Sequence, residues 1–356
     1  MFKIMALAIT LTAALALPAI GSDAATTGPH PAPPPGAATD SGSAPGLRVL
    51  KVIEVTDGTT EYRMPVWSPD GKRLAFGESG FRGICVGNAD GSGPISKIAS
   101  GHGLWCLRFW TPDSKALLCK VGTRLGRIDV ETARVDTLTG PLADDGHIDR
   151  NAYGDLAFSV WRQMQSLDFM TGSLKTGPYP EVEFLDPKTG GVETKYDYYS
   201  KERPASGDVQ LEQDFRTEQM WIVAGDGVTR SEFPYKVLLA SLSPARDKVA
   251  FLQGDGNIYV SHLDGSSMVM VGRGARWDWS PDGRRLAYIG AIEQSEWDVI
   301  AAEVFVVNAD GSGAAQITHS PDIVEDYPTW SPGGLRIAYS GWNTGKIYVA
   351  ILEEVK

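Results

Sequence analysis

A five-residue string recurs along this 356-residue chain and limits what it can fold into. It reads Trp67-Ser68-Pro69-Asp70-Gly71, then Trp279-Ser280-Pro281-Asp282-Gly283, and with one change Trp330-Ser331-Pro332-Gly333-Gly334. Weaker copies are Trp110-Thr111-Pro112-Asp113-Ser114 and Leu242-Ser243-Pro244-Ala245-Arg246. Each has the chemistry of a hairpin turn: a bulky residue ends one strand, Pro presets φ, and Asp-Gly supplies a short polar side chain and a positive φ. An apolar second strand follows, such as Leu74-Ala75-Phe76 or Ile337-Ala338-Tyr339, and then a third, such as Ile84-Cys85-Val86 or Val304-Phe305-Val306-Val307. Asn88-Ala89-Asp90-Gly91-Ser92-Gly93, repeated letter for letter at 308–313, turns the third strand into a short fourth, as at Ile95–Ile98 and Ala315–Thr318. The unit is four antiparallel strands.

Spacing converts the unit into an architecture. Consecutive motifs are separated by 43 residues (67 to 110), 36 (243 to 279) and 51 (279 to 330), and blades of a β-propeller run to roughly 40–50 residues. The 133 residues between Trp110 and Ser243 hold three periods, with two degenerate blades. The first has Leu156–Ser159 as its second strand and Ser166–Phe169 as its third; the second is centred on Met220–Val223. The expected fold is all-β, a propeller of four-stranded antiparallel blades, seven favoured and six if the second degenerate segment is an insertion. Tyr179 to Gln213, with Tyr196-Asp197-Tyr198-Tyr199, is either an insertion for partner contact or part of a degenerate blade. The orphan strand from Arg48 to Val55 is expected to pair with Val349 to Leu352 and tie the ends of the ring together.

These repeats resemble those of the TolB-like β-propellers, built from WD40-like repeats of the W-S-P-D-G type, over roughly residues 48 to 356. The resemblance implies the fold and a secreted or periplasmic protein. Where TolB carries an additional α/β domain before its propeller, a linker at 22–46 is expected here. Similar repeats occur in propellers that cap prolyl-oligopeptidase-like hydrolases and in some polysaccharide lyases, so the motif implies no single activity.

Ahead of the repeats, Lys3 and the apolar run Ile4 to Leu17 end in small residues at 18–21, the pattern of a secretory signal peptide too short to span a bilayer. Residues 22–46, rich in Pro, Gly and Ala, read as a disordered linker, leaving 47–356 for the propeller. The net charge of -11, with no basic run, argues against nucleic acid. A monomer is expected, with no transmembrane span in the mature chain. Of three cysteines, Cys106 and Cys119 are opposite each other if Trp110 faces Lys115. A cross-strand disulfide and two buried thiols are then the alternatives. Cys85 reads as a small core residue.

The W-S-P-D-G and N-A-D-G-S-G turns share one end of the blades and read as structural. Function is expected on the opposite face, among the inter-blade loops. Candidate partner-contacting residues there are Glu61, Tyr62, Trp105, Asp145 and Tyr327. His102, His147 and His319 fall in equivalent loops, and with Asp149 and Asp326 they are the candidate ligands of a divalent metal. Acidic residues alone are a further candidate, for calcium or a small ligand. No cofactor is expected beyond that candidate metal. No G-x-S-x-G elbow is present, since Gly77-Glu78-Ser79-Gly80 lacks the final Gly. Gly254-Asp255-Gly256-Asn257 reads as a hairpin turn. The first expectation is therefore a non-enzymatic binding or scaffold propeller for a protein, cell-envelope or glycan partner. The alternative is a metal-assisted polysaccharide lyase or hydrolase using the three His.

Overall fold

A computed structural model describes residues 43–44, 46–100, 109–111, 113–121, 124–137, 148–150, 156–160, 167–168, 173–174, 181–185, 192–197, 209–214, 217–224, 229–294, 299–320 and 322–355. The expected signal peptide and almost all of the linker lie outside these residues. Among them the regular secondary structure is all strand, apart from a 3-10 turn at Ser79–Phe81.

The recurring turn is held by its hydroxyl. Ser68 is fully buried; its Oγ donates to Asp70 Oδ1 (2.6 Å) and accepts from Arg73 N–H (2.9 Å), while Asp70 Oδ1 also accepts from Lys72 N–H (3.0 Å). Ser280 and Asp282 repeat these contacts at 2.6 Å, and Thr111 and Asp113 do so at 2.6 Å. Gly71, Gly283 and Gly334 take φ of 68°, 66° and 72°, the left-handed region where a Cβ is costly. In the weaker copies Ser114 and Arg246 adopt φ of 60° and 57° at that place. Ala89 N–H donates to Lys72 O (2.9 Å) and Ala309 N–H to Arg284 O (2.8 Å), so the two turns of a unit do lie together.

The chain divides into two compact units, Met1–Glu54 with Tyr235–Lys356, and Val55–Pro234. In the first, Leu239–Leu242, Lys248–Leu252, Asn257–His262 and Val269–Arg273 form one antiparallel sheet in chain order. Ala275–Trp279, Arg285–Gln294, Val299–Asn308 and Ala315–Gln316 form another. A third contains Glu325–Trp330, Arg336–Gly341 and Ile347–Glu354, and its next strand is Leu47–Glu54 from the far end of the sequence. The pairing runs from Leu47 opposite Glu354 to Glu54 opposite Tyr348, as the unpaired strand at 48–55 led us to expect. Second and third strands are covered on both faces, so they read as apolar runs: Leu286, Ala287, Val304, Val306, Ile337, Ala338 and Val349 are all buried. Asp255 bonds Asn257 N–H (2.9 Å) across a turn at Gly256, the expected hairpin.

In the second unit Tyr62–Trp67, Arg73–Glu78, Gly83–Asn88 and Ser96–Ser100 form a sheet, as do Phe109–Trp110, Ala116–Val121, Arg124–Asp129 and Val135–Thr137. The first degenerate repeat departs from expectation. Leu156–Val160 is its second strand, but the third is Glu181–Leu185 and the fourth Val192–Asp197; Leu167–Asp168 instead pairs with Ser173–Leu174 as a separate hairpin. Much of the segment from Tyr179 thus belongs to the sheet, because Glu181–Leu185 offers a full-length edge where Leu167–Asp168 is two residues long. Gln210–Asp214, Gln219–Val223 and Arg230–Glu232 form a three-stranded sheet around Met220–Val223.

The cysteine register is also corrected. Phe109 faces Leu118 and Trp110 faces Leu117, two residues from the register that would set Cys106 opposite Cys119. The turn explains the shift: Ser114 N–H and Ala116 O both bond Thr111, so the strand resumes later than a two-residue turn allows. Cys106 lies outside the described residues; Cys119 and Cys85 are buried.

Candidate functional site

Three first strands share a device. Met64, Arg276 and Tyr327, each three residues before a motif Trp, have φ of 57°, 48° and 53°. The pairing with the second strand slips at the same points, between Arg63 and Val66, Ala275 and Asp278, and Asp326 and Thr329. These are β-bulges, which bend a strand and re-aim its side chains. Pro65 and Pro328 accompany two of them, as expected for a residue that breaks a ladder.

In the first unit the bulges bring two sheets into contact. Arg276 Nε lies 2.9 Å from Asp326 Oδ1, and its guanidinium sits 4.2 Å from the centre of the Tyr327 ring. Asp326 Oδ1 also accepts from Tyr327 N–H (2.9 Å). Nearby, Asp278 Oδ2 accepts from Trp330 N–H (2.8 Å) and Thr329 Oγ1 (3.1 Å), fastening one first strand to the next. Burial pushes the Asp278 carboxyl up to about 6 against the pull of those hydrogen bonds.

Further toward the inter-blade loop lie Glu303 and Glu325, both buried. Glu303 Oε1 accepts from Ser320 N–H (2.7 Å). Burial first, and then the charge of Glu303, push Glu325 up to about 8. The loop itself is knitted to the turn after Arg336–Gly341. Trp342 N–H donates to Val324 O (2.7 Å), Asn343 Nδ2 to Asp322 O (2.7 Å), and Val324 N–H to Asn343 Oδ1 (3.0 Å). Within this clasp the residue Trp342 is 46% exposed. Beside the loop a pocket of about 380 Å³ is lined by Val49, Val52, Gln316, Thr318, His319 and Ser320, with Ile317.

The residues singled out in the sequence meet different fates. His102, His147, Trp105 and Asp145 lie outside the described residues, and of Asp149 only its place in the strand Ile148–Arg150 is described. His319 is exposed on the loop, whereas Asp326 is buried and ion-paired with Arg276. Among the described residues no group of three or more His, Cys, Asp or Glu converges to hold a metal ion. Glu61 is exposed, 3.6 Å from Arg63; Tyr62 is half-buried, edge-on to Phe76 at 4.9 Å; Tyr327 is half-buried under Arg276. Cys85 is a core thiol pushed up to about 11 by burial. Three residues escaped the sequence reading. Glu303 carried a signal, a lone carboxylate within the apolar strand Val299–Asn308, but Glu325 and Trp342 looked like ordinary loop and turn residues.

No protein-family model matches this chain, and no curated protein does. Solved structures do. An oligogalacturonate lyase from Vibrio parahaemolyticus is 16% identical, covers 85% of this chain and 94% of its own, and superposes with a TM-score of 0.58. An oligogalacturonate lyase in complex with manganese is 15% identical, with 87% and 95% covered and a TM-score of 0.57. The β-propeller domain of Myceliophteria thermophila Cps50 (Swd1) is 12% identical, with 86% and 99% covered and a TM-score of 0.54. Identities this low speak to fold and not to activity, and together with the antiparallel sheets described above they identify the fold of this chain as a β-propeller.

Proposed function

We propose that this chain is a non-enzymatic binding propeller of the TolB-like kind, secreted or periplasmic, that presents its inter-blade loops to a protein or cell-envelope glycan. Among the described residues, seven antiparallel sheets of three or more strands support seven blades, the last completed by Leu47–Glu54. The observation that carries the binding reading is Trp342. A large aromatic residue, partly exposed on a turn that is itself hydrogen-bonded to the neighbouring loop, is an anchor that loses little conformational freedom on binding. A Trp face suits an apolar protein pocket or the C–H face of a sugar. The acidic surface disfavours nucleic acid, and the chain is expected to act as a monomer.

The test is retention of envelope-extract components on the immobilised chain. Partners held by the wild type and lost by Trp342→Ala support the proposal; identical retention by both argues against this face.

A metal-assisted lyase or hydrolase remains the second reading, favoured by the likeness to the manganese-bound oligogalacturonate lyase. It would use His102, His147 and His319. Asp326 is a poor ligand for it, because Arg276 already neutralises that carboxylate. Metal analysis of the purified chain separates the readings: one transition-metal ion per chain, lost when the three His become Ala, supports the enzyme.

A further inference from the structure

Glu303 and Glu325 are set side by side by the backbone. Ala302 and Val324 form a parallel bridge between the strand Val299–Asn308 and the loop entering Glu325–Trp330. One residue beyond a parallel bridge, side chains again project to a common face, on backbones roughly 5 Å apart. Those residues are the two glutamates, 3% and 1% exposed. Glu303 Oε2 and both carboxylate oxygens of Glu325 are buried and make no well-aligned hydrogen bond among the described residues, although the Ser320 and Thr318 hydroxyls act on Glu325 from close by. Buried polar atoms are nearly always partnered, and like charges placed opposite each other repel.

Hydroxyl groups surround the pair. Thr318 Oγ1 accepts from Val304 N–H (2.8 Å), which leaves its proton free to turn toward Glu325. Ser320 and Thr318 favour the charged form of Glu325, and burial first, then the charges of Glu325 and Glu303 among others, hold the proton on the phenol of Tyr339. One shared proton would satisfy two of the three oxygens, whereas a cation takes several oxygen ligands at once.

We propose that Glu303 and Glu325, with the hydroxyls of Thr318 and Ser320, bind a divalent cation of the calcium type that pins the inter-blade loop to the preceding sheet. The donors are all hard oxygens and the two carboxylates bring two negative charges, the chemistry that calcium selects over transition metals. This site adjoins His319 and Asp326 in the chain but uses neither of them, and it is independent of the partner-binding reading.

The test uses the full mature chain, with calcium and with a chelator. Wild type is expected to bind one calcium tightly and to melt about 5 °C higher in excess calcium. Glu325→Gln and Glu303→Gln should each abolish that shift and, in chelator, melt at or above wild type, because the repulsion is gone. Absence of calcium binding by wild type at millimolar concentration would overturn the proposal in favour of a shared proton. An equal shift in both variants would overturn it as well, since the calcium would then be on the acidic surface. If one variant fails to fold, the other decides.

Discussion

Arg276 and Asp326, from the first strands of neighbouring sheets, form a 2.9 Å ion pair with side chains only 18% and 6% exposed. Both depend on a left-handed residue at a bulge: Arg276 is one itself, and Asp326 immediately precedes Tyr327. Removing one partner of such a pair strands the other charge, which costs about 3 kcal/mol or more. Arg276→Met is therefore expected to lower stability by about that amount in urea unfolding. Asp326→Asn should cost less, since Arg276 keeps some exposure and the Tyr327 ring.

Glu325 gives the protein an unusual pH dependence. Its folded carboxyl is raised from 4.5 to about 8, so the folded chain holds a proton that the unfolded chain has released between those values. Stability from this group falls as pH rises through that window. In chelator, wild type should lose stability from pH 5 to pH 8 relative to Glu325→Gln, as read by thermal unfolding at several pH values. The turn aspartates behave oppositely. Asp70 and Asp113 are lowered by the Ser68 and Thr111 hydroxyls, so their contribution is present above the ordinary carboxylate range and lost in acid.

The altered motif Trp330-Ser331-Pro332-Gly333-Gly334 can be repaired. Nothing lies within 4 Å of a Cβ at Gly333, whose counterpart in other copies is the Asp that bonds the buried hydroxyl. Gly333→Asp is expected to stabilise by about 1 kcal/mol. Gly334, at φ of 72°, is the reverse case, and Gly334→Ala should destabilise by about 1–2 kcal/mol. Paired denaturation curves check both.

Most of the architecture was legible because the turns carry strong local signals. Ser68, Asp70 and Gly71 each satisfy a need that few other residues meet, and the pattern they set predicted the pairing of Leu47–Glu54 with the last strand. The degenerate repeat was misread at Leu167–Asp168, where local apolarity was sufficient for a strand but not for a place in the sheet. Bulges were hidden because a left-handed Arg276 or Tyr327 has no side-chain signature, although Pro65 and Pro328 hinted at two of them. The candidate site was less legible still. The ion pair of Asp326 with Arg276 joins two strands that no spacing rule connects, and the meeting of Glu303 with Glu325 likewise depends on a bridge between distant segments.

The central claim is that the inter-blade loop face binds a partner through Trp342. The direct measurement is the dissociation constant of a captured partner for wild type and Trp342→Ala, beside their melting temperatures. Anchor residues at interfaces are worth about 2 kcal/mol or more, so the account predicts weakening of roughly 30-fold with an unchanged melting temperature. Equal dissociation constants, with both proteins folded, would contradict it.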